Sequence, residues 1–181
     1  MKLTYSLSEN DFLLHQLYIA SKNDRIKQQR LKSWLIYTAA LLILSLLFYQ
    51  SGNTFMTNYF LIFGLVILCF FPFYQKWYHK NHYKKYIADT YKNRFGQTTN
   101  VSLNEEGIET SDATGESKIN LSEIENTIET SDYFYIKMRT GGHLIIPKFK
   151  LADTDSVRQE LKKLCSKLSV DYIDDLNWRW K

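Results

Sequence analysis

The sequence predicts a membrane α-helical hairpin joined to an α+β domain, and three observations carry that prediction. No Asp, Glu, Lys or Arg occurs in the 43 residues from Ser33 to Gln75. From Thr98 onward, apolar residues recur with the period of two that marks half-buried strands. The last long segment returns to helical spacing, with Val157, Leu161, Leu164 and Leu168 in one stripe. Whole-chain averages hide this division, because 23% charged residues would suit a soluble domain. With 15% aromatic residues, 7 Gly and 2 Pro, the chain does not have a disordered composition. Two cysteines, Cys69 and Cys165, make no disulfide framework.

The uncharged run divides once. Trp34–Tyr49 gives 16 residues, Gln50–Thr54 reads as a turn, and Phe55–Tyr74 gives 20 more. At the helical rise the second segment is about 30 Å long, enough to cross a hydrocarbon core, and the first about 24 Å. The shorter one crosses if Lys32 snorkels and the bilayer thins. Trp34, Tyr37, Tyr49, Tyr59 and Tyr74 lie toward the segment ends, where amphipathic rings favour the headgroup level. A buried hairpin in a soluble core is the competing reading, and an uncharged stretch this long leaves it no polar face for solvent. A cleaved signal peptide fits poorly, since no small-x-small site follows and a second apolar segment does.

Positive charge sets the expected orientation. Lys22, Arg25, Lys27, Arg30 and Lys32 precede the first segment, and Lys76, Lys80, Lys84, Lys85, Lys92 and Arg94 follow the second. The turn between carries none, so both termini are expected in the cytoplasm and the turn outside. Residues 1–96 hold 12 Lys+Arg against 4 Asp+Glu, whereas residues 97–181 hold 11 against 15. The basic character therefore belongs to the membrane flanks, where it faces anionic lipid. The acidic distal part gives nucleic-acid binding no electrostatic support.

The element order follows from local signals. Leu3, Tyr5 and Leu7 alternate as a short strand, and Ser8 caps a helix with Glu9 and Asp11 in its first turn. A break near Asn23 leads to the first membrane segment. After Pro72, Tyr83, Ile87 and Tyr91 recur every four residues, predicting a helical extension over 76–96 that ends with Gly96 at the C′ position. Then come strands around Val101/Leu103, Ile108–Thr110, Lys118–Leu121, Tyr133–Arg139 and His143–Pro147. Turns are expected at Glu106-Gly107, Asp112–Gly115 and Thr140–Gly142. Ile124 and Ile128 sit in an irregular piece, and Asp153 or Thr154 caps the final helix. Five or six antiparallel strands closed by one C-terminal helix is the order of a pleckstrin-homology-like barrel. The expected domains are 1–32, the hairpin at 33–75, the extension at 76–96, the barrel at 97–168 and an aromatic tail at 169–181.

The segments LSENDFLLHQLYIASKN, RIKQQRLKSWL, HYKKYIADTYKNRFG and ESKINLSEIENTIETSDYFYIKMRTGGHLIIPKFK resemble the YcxB-like family of bacterial membrane proteins. The resemblance runs to about residue 168 and is most specific at Ile119–Lys148. Leu121 departs from it, standing where such sequences often carry an aromatic residue. The resemblance implies two membrane helices in the bacterial plasma (inner) membrane plus a cytoplasmic pleckstrin-homology-like domain, and little about chemistry.

Candidate chemistry is sparse. His79 and His82 share a helix face at a spacing that metals use, but no further ligand completes a site. Ser131, Asp132 and His143 have the composition of a triad without a nucleophile elbow. Glu105, Glu106, Glu123, Glu125 and Glu129 are more simply solvated strand ends than acid–base pairs. No phosphate loop, dinucleotide-binding glycine pattern or C-x-x-C occurs, so no cofactor and no enzymatic activity are expected. Lys137, Arg139, Lys148 and Lys150 lie close in sequence on strands and their exits, where they would hold a lipid phosphate or an acidic peptide. Trp178 and Trp180 either fold back or meet a partner, and Cys165 packs as a small hydrophobe. The expected function is a non-enzymatic interaction or regulatory module on the lipid bilayer, with a protein partner or an anionic headgroup as ligand. The alternative is self-protection, since such small membrane proteins resemble some bacteriocin immunity proteins.

Overall fold

The computed structural model describes residues 1–104, 107–112 and 115–180. It divides into a helical unit, Gln16–Tyr86 with Trp180, and a β unit, Met1–His15 with Ile87–Arg179.

Three helices supply the helical unit: the second half of α1 (Glu9–Lys22), α2 (Asp24–Gln50) and most of α3 (Thr54–Thr90). Asn23 makes the expected break. Its backbone is extended, and its side chain accepts from the amides of Arg25 and Ile26, which restarts the chain as α2. The turn is tighter than expected, with Gly52 at φ +75° and Asn53 accepting from the Met56 amide. α2 and α3 are 27 and 37 residues long, and each contains a stretch long and apolar enough to cross a membrane. Only 11% and 6% of those apolar stretches are buried. Leu35, Ile36, Ile43, Leu46, Ile62, Phe70 and Phe73 all point outward, a surface unlike any soluble core helix. The two helices are pinned to each other by hydrogen bonds to backbone carbonyls: Ser45 to Thr57 at 2.9 Å, Trp34 to Leu68 at 3.2 Å and Gln75 to Arg30 at 3.0 Å. Gly64 faces Leu41 and Leu42, where an added Cβ would meet their side chains at 3.5 and 3.6 Å, an ordinary contact distance.

The α-helical extension ends earlier than the spacing suggests, at Thr90, and a 3₁₀ turn at Lys92–Arg94 follows. Gly96 does take positive φ (+71°), but it caps no α-helix; its amide bonds the Leu7 carbonyl instead.

The β unit contains two four-stranded sheets. One has the order β1 (Lys2–Ser6), β2 (Thr98–Leu103), β3 (Gly107–Asp112), β4 (Gly115–Asn120), and is antiparallel throughout. The other has the order β7 (His143–Pro147), β6 (Tyr133–Met138), β5 (Ile124–Glu129), β8 (Asp171–Asp174). In it β8 runs parallel to β5 and the other pairs are antiparallel. The N-terminal strand thus crosses the boundary expected at residue 97. The aromatic tail expected at 169–181 contributes an edge strand, β8, held to β5 by main-chain pairing. The piece around Ile124 resolves into a 3₁₀ turn at Leu121–Glu123 and a bulged strand. Glu106, Ala113 and Thr114, in two of the expected turns, and the neighbouring Glu105 lie outside the described residues.

α4 (Thr154–Leu168) closes the core, with Asp153 accepting from the amides of Asp155 and Ser156 at its start. Val157, Leu161 and Leu164 pack with Tyr5, Val101, Leu103, Ile108, Ile124, Phe134, Ile136 and Ile146. Cys165 is buried on the same helix. The second face of β6 is buried too at Tyr133 and Tyr135. Tyr133 donates to Asp11 at 2.7 Å and Tyr135 packs on His15, both partners lying in the first turns of α1. The alternation of β6 therefore separates two buried faces, and its tyrosines are the mark of the second.

Candidate functional site

The sequence-predicted cations are largely consumed inside the β unit. Lys137 pairs with Glu125 at 2.5 Å, and Lys148, 10% exposed, pairs with Glu129 at 2.6 Å. Lys150 donates to the Ser6 carbonyl at 2.6 Å and stands 3.8 Å from Asp11, while Arg139 Nε bonds the Ser122 carbonyl at 3.1 Å. These four side chains go to four different partners, so they form no common anion seat. Trp178 is half-buried in the β unit. Trp180 folds onto the helical unit, where Nε1 donates to the Lys76 carbonyl and the Arg30 guanidinium lies 5.2 Å from the ring. Lys27 pairs with Asp24 at 3.1 Å, whereas Arg25, Lys32, Lys80, Lys84 and Lys85 flank the apolar stretches.

Glu129 is the hub of the lower sheet. Only 2% exposed, it accepts from Lys148, from Arg158 Nε at 2.8 and 3.1 Å and from the Tyr172 hydroxyl. Burial alone would raise its carboxyl, but the hydrogen bonds from Lys148, Tyr172 and Arg158 outweigh it and hold the group below the usual range. The cluster ties β5, the exit of β7, α4 and β8 together, which is structural work.

The imidazoles of His15 and His143 meet edge to face, 4.9 Å between centroids. Burial first, and then His143, push His15 down to about 3. His143 is lowered by burial and by Lys137. Ser131 donates to Asp132 rather than to His143. Among the described residues no group of three or more His, Cys, Asp or Glu side chains is placed to hold a metal ion.

The two sheets part at a cleft of about 620 Å³ between the edges β4 and β7. Its back wall is the inner face of the first sheet. Opposed residues of antiparallel strands share a face, so Tyr5/Thr99 and Thr110/Ser117 continue the inward rows of Leu3, Val101, Ile108 and Ile119. These rows are apolar toward α4 and change to hydroxyls at the cleft. Tyr5 lines the cleft at 4% exposure, and its hydroxyl has no hydrogen-bond partner among the described residues. Burial pushes that phenol well above its usual range. The front wall is β7, with His143, Leu144 and Ile145; Leu7, Phe12 and Ile119 add apolar surface. The rim carries Asp112, Glu116 and Glu123 against Arg94 and Lys118, and Lys118 already lies 3.5 Å from Glu109. A pocket of this size, apolar at its sides with a few convergent polar groups, has the character of a binding site. The sequence reading missed it. The available signal was the polar residue at inward positions Thr99, Thr110 and Ser117, which a fully packed barrel would fill with aliphatic side chains.

Two helices fit to cross a membrane, joined to a two-sheet α+β unit with an open-mouthed cleft, define the class of this chain. Residues 103–164 match the family model described as YcxB-like protein. The match begins at the end of β2 and reaches into α4, so the β unit carries the family likeness, and it includes β4 and β7 on both sides of the cleft. No curated protein and no solved structure matches the chain significantly.

Proposed function

We propose that this chain is a two-pass membrane protein whose β unit, of pleckstrin-homology-like kind, is a cytoplasmic, non-enzymatic interaction module. The single observation that carries the reading is the cleft between β4 and β7, with its hydroxyl-lined back wall and the enclosed Tyr5 hydroxyl. The order of antiparallel strands closed by α4 supports the fold reading. Exposed apolar surface around α2 and α3 supports insertion, and the bases on both sides of the hairpin support an inward location of both termini. Internal pairing of Lys137, Lys148 and Lys150 turns the ligand expectation away from anionic lipid and toward a protein partner.

The test is crosslinking recovery from native membranes of the natural chain and of Thr110→Val/Ser117→Ala, which makes the back wall apolar without adding bulk. Loss of one discrete partner, with the variant still inserted and folded, is the expected result. Identical partner sets would contradict a role for the cleft. Loss of protection against a specific antimicrobial peptide, with no partner recovered from either chain, would favour the self-protection reading instead.

A further inference from the structure

We infer that the cleft accepts an extended, basic segment of a partner protein, which adds as a strand to the free edge of β7. This rests on the interaction-module reading and specifies its ligand.

The main-chain geometry of β7 makes the case. β7 is a terminal strand of its sheet, and β4 across the cleft is a terminal strand of the other. The amide of Lys148 bonds the Asp132 carbonyl, and that of Met138 bonds the Gly142 carbonyl. Hydrogen-bonded and non-bonded pairs alternate along an antiparallel ladder. The pairs 134/146 and 136/144 therefore bond inward, and His143, Ile145 and Pro147 turn their main-chain groups away from β6. That outward row offers the amides and carbonyls of His143 and Ile145 and the carbonyl of Pro147. Among the described residues, no hydrogen bond from another element reaches the Ile145 amide or carbonyl.

The row faces a space of about 620 Å³ rather than a covering element. Edge strands that meet no partner are usually blunted by charge or by proline. Proline enters β7 only at its last residue, and its central residues are Leu144, Ile145 and Ile146. An extended segment pairing with β7 places alternate side chains to opposite sides. One set would meet Leu144, Ile119 and the hydroxyl wall of Tyr5, Thr99, Thr110 and Ser117. The rim selects charge: Glu116 and Glu123 stand with two bases, of which Lys118 is occupied by Glu109. Glu116 and Glu123 have no ion pair among the described residues, and they favour Lys or Arg on the incoming segment.

The experiment presents the full chain in phosphatidylcholine nanodiscs to a displayed library of random 12-residue peptides, with empty nanodiscs subtracted. The strongest binder is resynthesised in four forms: unmodified, N-methylated at the odd residues, N-methylated at the even residues, and with its basic residues changed to Glu. Expected are enrichment of Lys/Arg, at least tenfold weaker binding after N-methylation in one of the two alternation phases, and a similar loss on acidic replacement. The amide of Ile145 exchanges more slowly in the complex, and Glu116→Gln/Glu123→Gln reduces the preference for basic peptides. Equal binding by both N-methylated phases overturns strand addition, and a preference for acidic peptides overturns the charge assignment. If no peptide is selected while partner recovery still depends on Thr110 and Ser117, strand addition fails and the interaction module stands. If that recovery does not depend on the cleft, the underlying reading fails first.

Discussion

Glu129 and His15 govern the expected pH response of the β unit. Removing one partner of a buried, hydrogen-bonded ion cluster leaves uncompensated charge, at a cost of about 3–5 kcal/mol. Glu129→Ala abandons Lys148 and Arg158 together, and its denaturant midpoint should fall accordingly, whereas an unchanged midpoint would show the cluster to be dispensable. Glu129 is held below its ordinary value in the folded chain, so its stabilisation is full above the unfolded pKa and is lost as pH falls through the folded one. His15 works in a higher window. In the unfolded chain it takes a proton near pH 6.5, but in the folded chain only near 3. Unfolded molecules therefore bind more protons between those values, and stability should decline as pH falls through 6 and 5. His15→Phe keeps the ring packing on Tyr135 and should lessen the decline between about pH 6.5 and 4.5, leaving the part that His143, also lowered, contributes and the Glu129 limb below it. Urea titrations at half-unit pH steps separate the two groups.

At the scale of elements, β3 and β4 are the most exacting pair. A Cβ on Gly107 would stand 2.4 Å from the Ile119 carbonyl oxygen, which belongs to backbone and has little room to yield. Gly107→Ala should cost about 1–3 kcal/mol by forcing the strands apart, and it should loosen the β4 wall of the cleft, seen as faster amide exchange in β4. β8 gives a second test. It supplies the Tyr172 hydroxyl to Glu129 and covers one edge of β5. Ending the chain after Val170 should lower the thermal midpoint and expose the β5 amides to exchange, while a truncation without effect would make β8 an ornament. Elements with strong periodicity were legible in the sequence: α4, both apolar helices, β6, and the break at Asn23. β8 was not, because Asp171–Asp174 is four residues with a single inward ring. The pairing of β1 with β2 links residues almost a hundred positions apart, which no local pattern encodes. The cations of the candidate ligand set were visible, but their internal partners Glu125, Glu129 and Asp11 come from distant strands and from α1. The cleft was hidden for the same reason, since Thr99, Thr110 and Ser117 read as ordinary strand threonines and serine until register places them on the inner face.

The whole molecule joins a hairpin that exposes its apolar side chains with a β unit that buries its own. Insertion explains both facts with one solvent change, because α2 and α3 satisfy their backbones internally and need no polar face in lipid. The topology proposed from the charge distribution has a simple readout. In a Cys69→Ala background, Ser51→Cys should react with a membrane-impermeant thiol reagent on intact cells. Asp175→Cys should react only after permeabilisation. The reverse pattern would invert the chain and place the β unit outside.

The most direct measurement is photo-crosslinking in living cells from a reactive side chain at Ser117, on the back wall of the cleft, with an identical group at Lys163 on the exposed side of α4. A discrete protein adduct is expected from position 117 that is absent from position 163 and is lost in Glu116→Gln/Glu123→Gln. Lipid adducts alone, or the same adducts from both positions, would contradict the interaction-module reading.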